Sequence, residues 1–188
     1  MSLPAFFASL ADLCRFRRGP EDMPYVPRLL VALLIGCGVL QVLFGWYHGA
    51  RAAPLAAALL GGLAVVGVVF LLLRGRGRTE RFMQTATALA AVYLVFGIVA
   101  DALALLLPLD KLYERFVAHP AHPPTLTSGQ ALVALAVIAL AIWQWCVWVR
   151  ILRRALEVSI AGAVALLVLL ALVNWIVAGI AVAIIGAA

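Results

Sequence analysis

Residues 159–187 read SIAGAVALLVLLALVNWIVAGIAVAIIGA, 29 residues with no acidic or basic side chain and one amide, Asn174. As a helix the stretch is about 43 Å long at 1.5 Å per residue, enough to cross a hydrocarbon core of roughly 30 Å. It is apolar on every face, so in water it would have no side to turn outward. Four other runs have the same character: 29–47, 52–73, 82–107 and 131–149. Only 82–107 holds a charge, Asp101. The expected fold is an all-α integral membrane protein with five transmembrane helices over 28–188. Residues 1–27 precede them as an amphipathic interfacial helix and a linker.

Composition agrees. Hydrophobic residues make up 66% of the 188 and charged residues 12%, and mean hydropathy is +1.14. A soluble domain is about 45–50% apolar and about 25% charged. The net charge of +6 sits in short clusters between the apolar runs, as topology signals do, so nucleic acid is not an expected partner. Cys37 and Cys146 lie inside apolar runs and Cys14 near the N-terminus, which leaves no expected disulfide. No small-residue cleavage site follows the first apolar run, and no cleavable signal is expected.

The spans have readable ends. His48, Gly49, Ala50 and Arg51 alone separate the first two, which makes them a tight hairpin. Thr127-Ser128-Gly129-Gln130 fits a capping box for the fourth. A single helix over 131–187 would exceed about 80 Å, so a break falls within 150–158, although no Gly or Pro marks it. Positive charge sets the orientation. With the N-terminus inside, the cytoplasmic segments hold 11 arginines and the opposite side only Arg51, Lys111 and Arg115. This predicts a multi-pass protein of the bacterial inner membrane, N-terminus cytoplasmic and C-terminus periplasmic. Trp46 and Tyr47 mark the outer end of the first span; Trp143, Trp145 and Trp148 mark the inner end of the fourth.

Before the spans, Leu3, Phe6, Phe7, Leu10, Leu13 and Cys14 recur at helical spacing, opposite Ser9, Asp12 and Arg15. Gly19-Pro20 is the expected stop. Two placements fit: flat in the cytoplasmic interface with Arg17 and Arg18 near lipid phosphates, or packed under the bundle.

Several residues invite a functional reading, each beside a plainer one. Asp101 is either a proton or cation site or a shallow carboxyl reaching water, Lys111 or Arg115. Asn174, Gln41 and Gln144 suit hydrogen bonds between helices; with Asp101, Asn174 and Gln41 could also line a substrate or ion path. Arg74, Arg76, Arg78 and Arg81 form a basic loop that fixes topology or meets lipid head groups. His119 and His122 have an H-x-x-H spacing, but their proline-rich run favours an extended loop, and no metal site is expected. Small residues such as Ala57, Gly61, Gly67, Ala134 and Ala163 permit close helix contact, within the chain or between copies. No phosphate-binding glycine loop, H-E-x-x-H, nucleophile elbow or C-x-x-C is present, so neither enzyme activity nor a cofactor is expected.

Two stretches carry a family resemblance. Glu80-Arg81-Phe82-Met83-Gln84-Thr85-Ala86-Thr87-Ala88-Leu89 is similar to the lead-in of the third span in bacterial members of the Yip (Ypt-interacting protein) family. Trp148-Val149-Arg150-Ile151-Leu152-Arg153-Arg154-Ala155-Leu156 is similar to its junction between the fourth and fifth. Arg17-Arg18-Gly19-Pro20-Glu21-Asp22-Met23-Pro24 also resembles the N-terminal approach of small membrane proteins grouped there, so the likeness covers roughly residues 15–185. The Asp-Leu-Tyr-Gly-Pro signature of the eukaryotic members, which bind prenylated GTPases, is missing. The resemblance implies a five-span, N-in and C-out architecture. It also implies a non-enzymatic scaffold or assembly subunit, whose partners are membrane lipids and other membrane proteins or a second copy. A small transporter or channel using Asp101 and Asn174 is the alternative.

Overall fold

The computed structural model describes residues 3–47, 52–108 and 126–186. Among the described residues there are six α-helices: α1 (Leu3–Cys14), α2 (Pro27–Tyr47), α3 (Ala52–Gly75), α4 (Phe82–Ala104), α5 (Ser128–Leu156) and α6 (Ile160–Gly186). There is no strand among the described residues. The last five are long and apolar enough to cross a membrane, and α1 is shorter. The all-α membrane fold expected from the sequence is therefore present.

Helix ends follow local chemistry, in places against expectation. Thr127 Oγ1 accepts from the Gln130 amide (3.3 Å) and Gln130 Oε1 accepts from the Thr127 amide (3.0 Å), completing the capping box that opens α5. α5 then continues past residue 149 to Leu156, so Arg150, Arg153 and Arg154 ride on the helix and not in a loop. The required break is at Glu157, whose left-handed backbone (φ 50°, ψ 49°) ends α5. Ser159 Oγ accepts the Gly162 amide at 3.1 Å to start α6. α4 stops at Ala104, where turns replace the helix expected to reach residue 107.

Three helices end alike. The Arg78 amide bonds back to Leu73 O (2.8 Å) around Gly77, the Arg17 amide to Asp12 O (2.8 Å) around Phe16, and the Val158 amide to Arg153 O (3.2 Å) around Glu157. Each is a six-to-one closure with one left-handed residue. Only Gly77 (φ 67°) is a glycine; Phe16 has φ 62°. α1 consequently ends before Gly19-Pro20, the stop expected from the sequence.

α4 is the hub. Thr85 through Val92 are all buried, as α2 and α5 close on it, while α3 pairs most extensively with α6. The large buried side chains gather toward the end that carries Arg74, Arg81 and Arg154. They include Met23, Leu30, Leu73, Ile151, Leu152 and Leu156. Near the opposite ends of α3, α4 and α6 the buried residues are Ala57, Ala104 and Ala181. One end thus packs like a water-soluble core. The other relies on close backbone approach, which suits lipid, where the hydrophobic effect does not drive helices together. At Gly97 an added Cβ would lie 2.8 Å from Leu40, and at Gly61 2.5 Å from Asn174.

Candidate functional site

The arginine-bearing end holds the densest polar cluster, and its acidic members were not singled out by the sequence reading. Glu157, at the corner between α5 and α6, pairs with Arg78 and lies 3.0 Å from Arg81 Nη1. Arg81 also donates to the carbonyl of Arg154 (3.4 Å). Arg154 in turn pairs with Glu21 at 2.8 Å. Gln84 Nε2 donates to the carbonyls of Glu21 (3.0 Å) and Met23 (3.2 Å). The turn Pro20–Asp22 is itself fixed, since the Asp22 carboxylate accepts the Gly19 amide at 3.0 Å.

These contacts join three parts distant in sequence: the segment after α1, the turn before α4, and the α5–α6 corner. The Arg78 hydrogen bond, then the Arg78 charge and Arg81, holds the Glu157 carboxyl at about 2, below its ordinary 4.5. The group is therefore ionised at any neutral pH. Exposed ion pairs contribute little singly, so the value of this one is geometric: it sets where the corner sits. The signal in the sequence was opposite charge in three segments assigned to the same side.

Not every predicted arginine joins in. Arg78 and Arg81 are engaged by Glu157, and Arg18 pairs with Asp12 at 3.2 Å and donates to Ser9 Oγ at 3.1 Å. The side chains of Arg17, Arg74 and Arg76 are exposed and make no ion pair or hydrogen bond among the described residues. Those three remain available to anions.

The polar residues of the spans are placed separately. Gln41 on α2 donates to the Tyr93 hydroxyl on α4 at 3.0 Å. Asn174 on α6 abuts Gly61 on α3. Asp101, partly buried, lies one turn before the end of α4, about 4.5 Å along the axis from Ala104. That is nearer the helix end than the sequence boundaries implied. Lys111, Arg115, His119 and His122 lie outside the described residues. Among the described residues no three His, Cys, Asp or Glu side chains come together as a metal site would require. Cys14, Cys37 and Cys146 are free thiols, and burial pushes the Cys14 thiol up, away from the reactive thiolate.

α1 lies neither under the bundle nor apart from it. It leans on the flank of α4 and α5, where Trp143 Nε1 donates to the carbonyl of Cys14 at 3.0 Å. The Arg150 guanidinium sits over the Phe16 ring, 5.6 Å from its centroid. No protein-family model, curated protein or solved structure matches this chain.

Proposed function

We propose that this chain is a non-enzymatic scaffold or assembly subunit of the bacterial inner membrane, Yip-like in architecture, with its arginine-bearing end in the cytoplasm. The observation that carries this reading is the clasp of Glu157 with Arg78 and Arg81 and of Arg154 with Glu21. It turns three separate segments into one fixed surface, and it leaves Arg17, Arg74 and Arg76 free on that surface to meet a partner or anionic lipid. A fixed, charged face is what an assembly partner recognises. The polar groups within the spans support the same reading, because Gln41 and Asn174 serve contacts between helices.

Purification from native membranes in mild detergent tests the proposal. A stoichiometric membrane partner or a homo-oligomer is expected, and it should weaken when Arg74 and Arg76 are both changed to Gln. A monomer with no stoichiometric companion counts against it. Flux in reconstituted vesicles that vanishes in Asp101→Asn would replace it with a transport path. Labelling of single cysteines placed in each loop reads the orientation: the loop at Arg76 should be protected from an impermeant reagent added outside intact cells.

A further inference from the structure

α1 and the flank it leans on do not close against each other. Phe7, Ala11 and Cys14 of α1, Phe96 and Val99 of α4, and Trp143 of α5 line an open groove of about 390 Å³. That volume is in the range of sites that hold small amphiphilic molecules. The walls are apolar, and among the described residues Arg15 is the only charged side chain in the lining. Trp143 is 13 residues from the end of α5, about 20 Å along its axis. The groove therefore lies well up the side of helices that cross the membrane, open to whatever surrounds them.

Arg15 is the feature that chooses the occupant. Among the described residues its side chain makes no ion pair or hydrogen bond, whereas Arg18, Arg78, Arg81 and Arg154 each have a carboxylate. A guanidinium beside lipid-facing helices is unfavourable until an anion or water meets it. Phosphate oxygens suit its planar fork. A second copy of the chain would have to supply a carboxylate at this height. Asp12, Glu21 and Glu157 already pair with arginines, and Asp22 holds the Gly19 amide. Glu80 lies in the turn before α4, at the end of the helices and not beside the groove, and Asp101 lies near the opposite end of α4.

We propose that the groove holds one acyl chain of an anionic bilayer phospholipid, with the lipid phosphate on Arg15. The apolar walls take the chain and the single cation takes the phosphate. An anionic lipid leaves that phosphate free for Arg15, whereas a zwitterionic lipid brings its own ammonium to compete for it. α1 then acts as one jaw of a lipid clamp and not merely as a surface anchor.

The test uses the full chain in nanodiscs of phosphatidylcholine with one-fifth phosphatidylglycerol, released for native mass spectrometry. The wild-type monomer should retain one phosphatidylglycerol. Arg15→Gln should lower that retention about fivefold, the factor that corresponds to about 1 kcal/mol per arginine near an anionic surface. Arg17→Gln, at a neighbouring free cation outside the groove, should retain the lipid. Val99→Trp fills the groove from α4 and Ala11→Phe fills it from α1; either, if it unfolds at the wild-type temperature, should abolish retention with Arg15 in place. Equal retention in Arg15→Gln and in a folded groove-filling variant overturns the proposal. So does phosphatidylcholine held as well as phosphatidylglycerol, or a lipid-free dimer that covers the groove.

Discussion

Gly61→Ala tests whether the end of the bundle away from the arginines is held by close backbone approach. A Cβ at position 61 would lie 2.5 Å from Asn174 Oδ1, 3.2 Å from its Cγ and 3.0 Å from its backbone oxygen, where ordinary contact begins at 3.4 Å. The amide can rotate away, but the backbone oxygen cannot. Relief therefore requires α3 and α6 to part by about 0.4 Å, and this is the most extensive helix pair in the chain. A gap approaching 0.5 Å forfeits up to about a quarter of each dispersion contact along the interface. Overpacking of this kind costs about 1–3 kcal/mol, offset by up to about 1 kcal/mol of helix propensity gained over glycine. The expected net loss is about 0–2 kcal/mol, and because the propensity gain is common to any helical Gly→Ala change, Gly61→Ala should lie about 1–3 kcal/mol below an unclashed control, read by reversible unfolding in mixed micelles. Gly62→Ala is the control, because a Cβ there meets nothing within 4 Å; it should be neutral or slightly stabilising. Asn174→Ala removes the two side-chain clashes but not the backbone one. The double variant should therefore be about 0.5–1 kcal/mol more stable than the sum of the singles. If Gly61→Ala and Gly62→Ala unfold within about 0.5 kcal/mol of each other, the close-approach argument is wrong.

Three further outcomes follow from single contacts. A double-mutant cycle of Gln41→Leu with Tyr93→Phe should give a coupling of about 0.6 kcal/mol and not above about 1.7 kcal/mol, as for other hydrogen bonds between helices in lipid. Thr127→Ala should cost about 1 kcal/mol through loss of the α5 cap, measured by unfolding and by faster amide exchange in the first turn. Glu157 gives a pH dependence of known sign. Its carboxyl is depressed to about 2 from 4.5, so its stabilising contribution is complete above pH 4.5 and is lost as pH falls toward about 2. Wild type and Glu157→Gln should differ by a constant amount at neutral pH and converge across that acid window; a difference that changes only above pH 5 would assign the effect to another group.

The spans were legible because their signal is averaged over 20 or more residues, and lipid tolerates no polar face. Boundaries were less so where a tertiary contact decides them. The capping box at Thr127 involves neighbours in sequence and could be read directly. The end of α4 could not, because residues 105–107 are as apolar as the helix before them and nothing local says stop. The arginines are legible in the sequence as topology signals. That two of them would be engaged by Glu157 depends on a corner 76 to 79 residues away in the chain, and periodicity carries no information at that distance.

Glu157 also explains why its corner was invisible. A left-handed helix end favours glycine, and α3 uses one at Gly77, where an added Cβ would touch nothing. A glycine at 157 would turn the chain more easily but would remove the carboxylate facing Arg78 and Arg81. Phe16 presents the same conflict, since its ring carries the Arg150 contact that a glycine would lose. In both places a strained residue stands where its side chain reaches another helix or loop, and the surroundings hold the backbone in its uncommon state. The strain lies in the two segments that join α1 and the α5–α6 corner to the rest. The geometry of this end therefore depends on contacts between segments, so a change at Arg78 or Arg81 acts on the corner between α5 and α6 although it lies in the loop before α4.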